Sequence, residues 1–307
     1  MGKKIEVKPF LKWAGGKTQL LDQFRFLFPK ELNGKGIIKN YYEPFLGGGA
    51  IFFWVAQNCK IENFYINEFN PEIYVCYNVI KKDIDIIIKK LSIMKNKYLK
   101  FDEDNREFFY YKMRNQYNKT KTDFNFRKYS TKEWGQRATL TIFLNKTCFN
   151  GLYRVNSKGE FNVPFGRYKN PEIFDATNLR AISKLLQKVK LTNEDFSMVE
   201  NEIKSDSFVY FDPPYRPLNQ TSNFNSYAST GFDDTEQERL ADTFKYLDNK
   251  GSKVMLSNSD PKNFNPNDNF FDDLYSGYNI VRVEAKRMIN SNSSKRGNIR
   301  ELVIKNY

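Results

Sequence analysis

Histidine is the most informative absence in this chain of 307 residues, because none is present. Its absence excludes serine–histidine and cysteine–histidine nucleophilic sites, histidine general bases and histidine-containing zinc sites. The three cysteines, Cys59, Cys76 and Cys148, are widely spaced and form no CxxC pair. Neither a disulfide framework nor a zinc knuckle is therefore expected, and the sequence predicts no metal site.

Long apolar runs are also missing from the chain. We find no stretch of about 18 or more apolar residues, the length that a membrane-spanning helix needs. The segment Met1–Trp13 lacks the apolar run of a signal peptide. We therefore expect a cytoplasmic protein, in a bacterial cell or a phage-infected host.

The charge balance is strongly basic. Lys and Arg total 49 against 36 Asp and Glu, which gives a net charge of +13, and hydrophobic residues make up 40% of the chain. A hydrophobic core can therefore form, and the excess of cations favours a polyanionic partner, since each neutralised phosphate releases condensed counterions. A solvated cationic surface without a nucleic-acid partner explains the charge equally well.

Short apolar runs alternate with helical patterns over much of the chain. Helical patterns cover Ala50–Gln57 and Glu236–Leu247. This alternation is typical of a wound α/β sheet, in which ligands bind beyond the carboxyl ends of the strands. The runs predicted to be strands are Asn40–Pro44, Asn63–Ile66, Phe208–Phe211 and Lys253–Leu256.

The stretch from Glu72 to Gly166 has a different character. A basic amphipathic helix is predicted around Lys81–Lys100, followed by a polar run rich in aromatic and basic residues (108–130) and a helix near Lys132–Leu144. Gly151–Val155 and Glu160–Val163 then flank Asn156-Ser157-Lys158-Gly159, a sequence typical of a hairpin turn. We predict a basic, aromatic-rich subdomain at 72–166, inserted into a domain made of 1–71 and 167–307.

A glycine-rich turn, Phe45-Leu46-Gly47-Gly48-Gly49, follows the first predicted strand. Such glycines let backbone N–H groups approach a ligand closely at a helix start. A dinucleotide fingerprint is excluded because Phe52 occupies the place of its third glycine. Glu68, after the next strand, can accept hydrogen bonds from ribose hydroxyls; the alternative is a solvated loop carboxylate.

The segment Trp13–Thr18 contains GKT and so invites comparison with a phosphate-binding loop. That motif needs a further glycine five residues before Gly16, where this chain has Leu11, and no buried strand precedes it. We therefore do not expect an NTPase.

The strongest single motif is Asp212-Pro213-Pro214-Tyr215, directly after the buried run Val209-Tyr210-Phe211. The prolines remove two N–H donors and leave carbonyl oxygens as unpaired acceptors. An aromatic amine is a poor nucleophile, and a carboxylate and a carbonyl that accept its two N–H groups would favour its pyramidal, reactive form. Tyr215 offers a ring for stacking an extruded base. The alternative is a proline-rich turn that caps a strand.

Taken in order along nearly the whole chain, these motifs resemble those of the Dam-type family of adenine-N6 DNA methyltransferases. Pro9–Lys17 resembles the family's first cofactor motif, and Asp195-Phe196 resembles the segment that contacts the cofactor's adenine. Where this chain has Glu68 the family usually has Asp. The resemblance implies an α/β fold, a Rossmann-like S-adenosylmethionine-dependent methyltransferase sheet with an inserted, mostly helical target-recognition domain that carries a β-hairpin. The implied catalytic residues are Asp212, Pro213, Pro214 and Tyr215, and the implied cofactor-binding residues are Trp13, Lys17, Phe45, Gly47, Gly49, Glu68, Asp195, Phe196 and Asp212.

The most specific resemblance covers Asn145–Asn156 and continues through Gly159–Gly166. In family members that methylate GATC this hairpin enters DNA, and the residue at the position of Arg154 reads guanine in the major groove, which fits the bidentate match between guanidinium and guanine. The alternative is that Arg154 only pairs with a phosphate. By the same resemblance, Phe149 and Asn150 fill or flank the space left by the flipped base, Leu152 and Pro164 meet base methyls, and Lys12 reaches the outer guanine.

The C-terminal part of the chain also resembles the family. Lys295 and Arg296, in the polar segment before the predicted strand Glu301–Lys305, are expected to hold backbone phosphates. The long polar segment Arg216–Gly231, after the catalytic motif, is predicted to be a lid over the target base.

The sequence thus predicts a site-specific enzyme that methylates the adenine amino group in double-stranded DNA by base flipping, at GATC. A companion restriction endonuclease acting separately is a possible partner. The alternatives are the same chemistry at another short DNA site, an amine or amide methyltransferase acting on RNA or protein, and a catalytically silent DNA-binding protein.

Overall fold

The structure is a computed structural model that describes residues 6–13, 15–33, 36–216, 232–286 and 298–307. The phosphate contacts predicted for Lys295 and Arg296 lie outside the described residues. So does the lid predicted at Arg216–Gly231, apart from Arg216 itself. The chain divides into two compact units, called here the first and the second unit. The first unit comprises Met1–Gly16, Gly47–Gln57 and Glu68–Asn193, and the second comprises Lys17–Leu46, Asn58–Asn67 and Glu194–Tyr307.

Seven strands form one sheet of order β3-β2-β1-β4-β5-β7-β6. Strand β1 pairs in parallel with β2 and β4, β4 pairs in parallel with β5, and β7 runs antiparallel to β5 and β6. The four strands expected from the apolar runs are confirmed as β1, β2, β4 and β5. The strands are β1 Asn40–Glu43, β2 Asn63–Asn67, β3 Val189–Thr192, β4 Ser207–Phe211, β5 Lys253–Ser259, β6 Asn279–Lys286 and β7 Asn298–Lys305.

The centre of the sheet is apolar on both faces. All five residues of β4 are buried, as expected for a parallel strand covered on both sides. In the second unit Val209 and Phe211 of β4 pack with Leu240 and Phe244 and with Leu256 of β5. This core fixes the end of β4, and therefore the start of the segment at Asp212.

Ten α-helices lie in the described residues, and none of the described helices is long and apolar enough to cross a membrane. Their starts follow local capping rules, since the side chains of Asn70, Asp102 and Asp233 accept hydrogen bonds from backbone N–H groups in the first turns of α3, α5 and α9. The helices are α1 Leu21–Phe24, α2 Ala50–Asn58, α3 Pro71–Lys82, α4 Ile84–Leu99, α5 Glu103–Lys119, α6 Thr131–Thr147, α7 Ala176–Leu186, α8 Val199–Glu202, α9 Asp234–Asn249 and α10 Phe270–Leu274.

Helix α6 is the buried centre of the first unit and packs against α3, α4 and α5. Its Arg137 forms a two-pronged ion pair with Glu72 of α3, and the guanidinium lies 3.6 Å from the centroid of the Tyr117 ring on α5. Both charged side chains are almost fully buried. A buried charge costs much free energy unless it is paired in this way.

The helix predicted around Lys81–Lys100 is confirmed as α4, which begins at Ile84 after α3 ends at Lys82. No secondary structure was predicted for the polar run 108–130, and its first part belongs to α5.

The segment predicted to be a hairpin makes antiparallel bridges but no regular strand. Val155 bridges Phe161, and the N–H of Asn162 donates to the carbonyl of Arg154 over 3.1 Å. At its base Cys148 bridges Phe165. The hairpin and the inserted recognition domain remain predictions.

Candidate active site

Asp212 lies directly beyond the carboxyl end of β4, in the second unit. Its Oδ1 accepts a hydrogen bond from Lys17 Nζ over 2.6 Å and one from the Ser257 hydroxyl of β5 over 3.0 Å. The carboxylate keeps 21% of its side-chain surface exposed. Among the described residues no hydrogen bond reaches Oδ2, so one oxygen is fixed and the other remains available as an acceptor.

Lys17 connects three groups of this site, although only 2% of its side chain is exposed. Besides Asp212, its Nζ donates to the Tyr215 hydroxyl oxygen over 2.5 Å and lies 3.8 Å from Glu301 Oε2 on β7. Tyr215 in turn donates its hydroxyl proton to Glu301 Oε2 over 2.6 Å. The Asp212–Tyr215 motif is thus held by a buried polar network: Lys17, Asp212, Tyr215, Ser257 and Glu301.

Burial determines the protonation behaviour of this network. It raises the pKa of the Asp212 carboxyl, and the neighbouring Lys17 ammonium opposes the rise. It also raises the pKa of Glu301, again against Lys17, and the pKa of Tyr215 lies well above its ordinary value. Two carboxyl groups therefore lie beside one ammonium, and burial favours the neutral form of each.

The two proline carbonyls of the motif differ in whether they accept a hydrogen bond. The carbonyl of Pro214 accepts from Gln237 Nε2 of α9 over 3.1 Å, and the Gln237 amide oxygen accepts from Asn258 Nδ2. The expectation that both carbonyls are unpaired was therefore wrong for Pro214. No hydrogen bond reaches the carbonyl of Pro213 within the part of the chain that the structure describes. Asp212 Oδ2 and Pro213 O are thus two available acceptors on consecutive residues.

In the first unit, the glycine-rich turn is bound to Glu68. Gly47 has φ +51° and Gly49 has φ +75°, conformations that side-chain-bearing residues rarely adopt. The Glu68 carboxylate accepts the N–H of Gly47 over 2.6 Å and the N–H of Asn70 over 2.8 Å. Only 6% of Glu68 is exposed, which excludes the solvated loop carboxylate considered from the sequence. Burial raises its pKa to about 7, while the two backbone hydrogen bonds oppose the shift.

Trp13 packs over this turn. A Cβ atom on Gly47 would lie 2.9 Å from Trp13 Cδ1, closer than carbon atoms tolerate. Glycine at position 47 is therefore required both by the backbone conformation and by the indole ring.

In the second unit, Asp195 and Phe196 lie beside an arginine that the sequence did not indicate. Arg239 of α9 donates to both oxygens of Asp195, over 2.7 and 2.9 Å, and its guanidinium lies 4.1 Å from the centroid of the Phe196 ring. This pairing holds the pKa of Asp195 well below its ordinary value. Phe45 packs against Phe196, with ring centroids 5.4 Å apart.

The candidate recognition residues lie in the first unit. The buried Asn145 side chain exchanges hydrogen bonds with the backbone of Lys12, donating to its carbonyl and accepting from its N–H, both over 2.8 Å. It also donates to the carbonyl of Gly151 over 3.1 Å. Phe149 is 51% exposed, and its N–H donates to the carbonyl of Pro164.

Arg154 lies on the exposed part of this segment, where Asn162 orients its guanidinium. Its Nε donates to Asn162 Oδ1 over 2.7 Å, and its Nη2 donates to the Asn162 carbonyl over 3.3 Å. Asn150, beside Phe149, has φ +55°, and Leu152 is half-buried.

Comparison with known proteins identifies the class. Residues 13–289 match the model of the D12 class of N6 adenine-specific DNA methyltransferases, and the chain belongs to this family. It is therefore a DNA methyltransferase specific for adenine, and its methyl donor is S-adenosylmethionine, as predicted.

Several relatives align with this chain over nearly their whole length. The type II methyltransferase M.MjaIII of Methanocaldococcus jannaschii is 51% identical over 99% of this chain and 100% of its own. The type II methyltransferase M1.LlaDCHI of Lactococcus lactis subsp. cremoris is 40% identical over 99% and 97%. The DNA adenine methylase of Escherichia coli K12 is 31% identical over 96% and 94%. The family and the enzyme class predicted from the sequence are confirmed.

Proposed function

We propose that this adenine methyltransferase acts at GATC in duplex DNA and flips the target adenine out of the helix. The observation that carries the choice of site is Arg154, which lies exposed in the segment that resembles the recognition hairpin of GATC-methylating members. The comparisons establish the reaction class, whereas the DNA sequence and the residue roles below are our proposal.

The orientation of Arg154 suits guanine readout. Asn162 engages Nε and one N–H of Nη2, and no hydrogen bond of Nη1 is found among the described residues. The outer edge of the guanidinium therefore keeps parallel N–H donors, the pattern that matches O6 and N7 of guanine. An arginine that only neutralised a phosphate would need no such fixed orientation.

The neighbouring residues supply the rest of the interface in this proposal. Lys12 is tied to the recognition segment through Asn145 and would reach the outer guanine. Phe149 is large, apolar and exposed, as required of a side chain that fills the space left by a flipped base. Asn150 would flank that space, and Leu152 and Pro164 would meet base methyls. We propose that Phe149, Asn150, Leu152, Arg154 and Pro164 belong to a recognition domain at 72–166.

Asp212 and Pro213 would act on the flipped adenine. Asp212 Oδ2 and the Pro213 carbonyl, the two available acceptors, would receive the two N–H groups of the amino nitrogen and direct its lone pair out of the ring. Tyr215 would stack on the base. Pro214 would act indirectly, since its carbonyl is already bound by Gln237.

The residues around Glu68 fit the methyl donor. A buried carboxylate with a raised pKa, whose described partners are two backbone N–H groups, gains stability from further donors, and ribose hydroxyls are such donors. Bound S-adenosylmethionine supplies the methyl group. We propose that the residues that hold it are Trp13, Lys17, Phe45, Gly47, Gly49, Glu68, Asp195, Phe196 and Asp212.

The name type II methyltransferase, carried by two relatives, supports a restriction–modification role, in which a separate endonuclease cleaves the unmethylated site. A cytoplasmic location remains a prediction. Neither bears on the chemistry of the site.

The test is methylation by the purified protein with radiolabelled S-adenosylmethionine. The substrates are duplexes containing GATC, matched duplexes in which those four bases are permuted, and an RNA hairpin. Asp212→Ala is the matched inactive control. We expect label on the GATC duplex alone. Label on a permuted duplex alone would refute the site but not the reaction, and label on RNA alone would refute the substrate class.

A further inference from the structure

Glu301 is a buried carboxylate beside the catalytic motif that neither the sequence motifs nor the family description assigns. From its contacts we propose that Glu301 is a positioning residue for methyl transfer, which fixes the Tyr215 hydroxyl and, through Tyr215 and Lys17, holds the Asp212 carboxylate in one orientation. The proposal rests on the catalytic roles proposed above for Asp212 and Tyr215.

The direction of the hydrogen bonds supports this role. Tyr215 has a single proton and donates it to Glu301 Oε2 over 2.6 Å. The tyrosine oxygen can then accept from Lys17 Nζ, which it does over 2.5 Å. The same ammonium donates to Asp212 Oδ1 over 2.6 Å. Glu301 thus fixes the Tyr215 hydroxyl, the hydroxyl fixes the Lys17 ammonium, and the ammonium fixes the Asp212 carboxylate.

A simple ion pair between Glu301 and Lys17 does not explain the geometry. Lys17 Nζ is 3.8 Å from Glu301 Oε2 but 2.6 Å from Asp212 Oδ1. The short contact of Glu301 is with the tyrosine. Its carboxylate is therefore placed to bind the hydroxyl group rather than to neutralise the lysine.

The location of Glu301 is costly for stability. It lies on β7 just before Leu302, Val303 and Ile304, all fully buried, and its side chain is only 13% exposed. Burying a second carboxylate beside one ammonium leaves an unbalanced negative charge. Residues that cost stability while contacting catalytic groups are typical of functional sites.

This cost in stability distinguishes a structural role of Glu301 from a positioning role. If the residue were structural, its loss would lower the melting temperature. If it positions the catalytic groups, Glu301→Leu should leave the melting temperature unchanged or raise it, because a buried charge gives way to an apolar residue of similar size. Its turnover should nevertheless fall.

The experiment measures kcat, S-adenosylmethionine affinity and melting temperature of the full chain, on a duplex that the wild type methylates. For Glu301→Leu we expect kcat to fall by about 10- to 100-fold with the cofactor Kd within about threefold. Glu301→Gln, which keeps an acceptor for Tyr215, should recover kcat to within about fivefold of wild type. Glu284→Leu, at an exposed carboxylate on the neighbouring strand β6, is the matched control and should behave as wild type.

A double-mutant cycle with Tyr215→Phe tests the route of the effect. Because Glu301 acts through the hydroxyl, Glu301→Leu should change kcat less than about threefold in the Tyr215→Phe background. The proposal is overturned if Glu301→Leu leaves kcat within about twofold of wild type, if its penalty is undiminished in that background, or if the variant unfolds. Asp212→Ala distinguishes failure of the Glu301 proposal from failure of the proposed function, because full activity of that variant would refute the proposed catalytic site itself.

Discussion

Replacing Glu68 by Gln should change how stability depends on pH. The chain has no histidine, so few groups other than carboxyls with raised pKa values titrate between pH 5 and 8. Burial raises the pKa of Glu68 from 4.5 to about 7. In the wild type a proton therefore leaves this buried carboxyl within that window, whereas a glutamine has no proton to lose.

The direction in which stability changes with pH follows from the linkage between proton binding and folding. Between pH 4.5 and 7 the unfolded chain has already lost the Glu68 proton while the folded chain retains it. The wild type therefore loses stability as pH rises through that range, and the loss is complete above the folded pKa. A shift from 4.5 to about 7 corresponds to about 2 to 3 kcal/mol of lost stability between pH 5 and pH 8.

The assay is denaturant unfolding of wild type and Glu68→Gln at several pH values from 5 to 8, without cofactor. Glutamine also leaves one backbone N–H without its acceptor, at a cost of about 1–3 kcal/mol that does not vary with pH. The difference in free energy of unfolding should therefore shift in favour of the variant by about 2 to 3 kcal/mol as pH rises. Asp212 and Glu301 titrate in both proteins and cancel. If the free energies of unfolding of wild type and Glu68→Gln depended on pH in parallel, the reasoning would be refuted. The control is Glu62→Gln, at an exposed residue, whose pH curve should run parallel to that of the wild type.

Four further outcomes are expected. Asp212→Asn should lower turnover by about 10²- to 10³-fold with cofactor binding retained, measured by steady-state methylation and calorimetry; equal loss of both would make Asp212 structural. Arg154→Ala should weaken specific DNA binding by about 1–3 kcal/mol and relax discrimination at one guanine, measured by anisotropy; a uniform loss with a shallower salt dependence would indicate a phosphate contact. Arg137→Leu should lower the free energy of unfolding by about 3–5 kcal/mol because Glu72 is left buried and unpaired, and a second change, Glu72→Leu, should recover most of that loss. Arg239→Ala should weaken S-adenosylmethionine binding in calorimetry by freeing Asp195; unchanged affinity would place Asp195 outside the cofactor site.

The fold was predictable where its signal is local. The runs that became β1, β2, β4 and β5 contain two, three, four and three consecutive apolar or aromatic residues, and that pattern is visible without knowing what the runs pack against. Helix α5 was missed because its buried residues Phe109, Tyr110, Met113 and Tyr117 stand beside Phe108, which is 71% exposed. Aromatic residues on both faces hide the helical period that separates buried from exposed positions.

The candidate catalytic motif could be singled out from the sequence because its four residues are contiguous, but the groups that contact it could not. Lys17 is 195 residues from Asp212 in sequence, and Ser257 is 45 residues away. Glu301 reaches the motif only because β7 is inserted antiparallel beside β5. No local pattern encodes that strand order, so neither Ser257 nor Glu301 could be assigned from the sequence.

Lys17 shows how a motif assignment can leave a physical role undetermined. In the sequence it stands in a GKT triplet typical of phosphate binding, and resemblance assigned it to the cofactor. The structure buries it between Asp212, Tyr215 and Glu301, where two carboxyl groups lie near its ammonium. A phosphate would be repelled there, whereas the N–H donors of an amine are attracted. The chain carries +13 overall, which favours a polyanion, whereas two carboxyl groups lie beside Lys17. We therefore expect Asp212 to favour the N–H donors of a base over a phosphate.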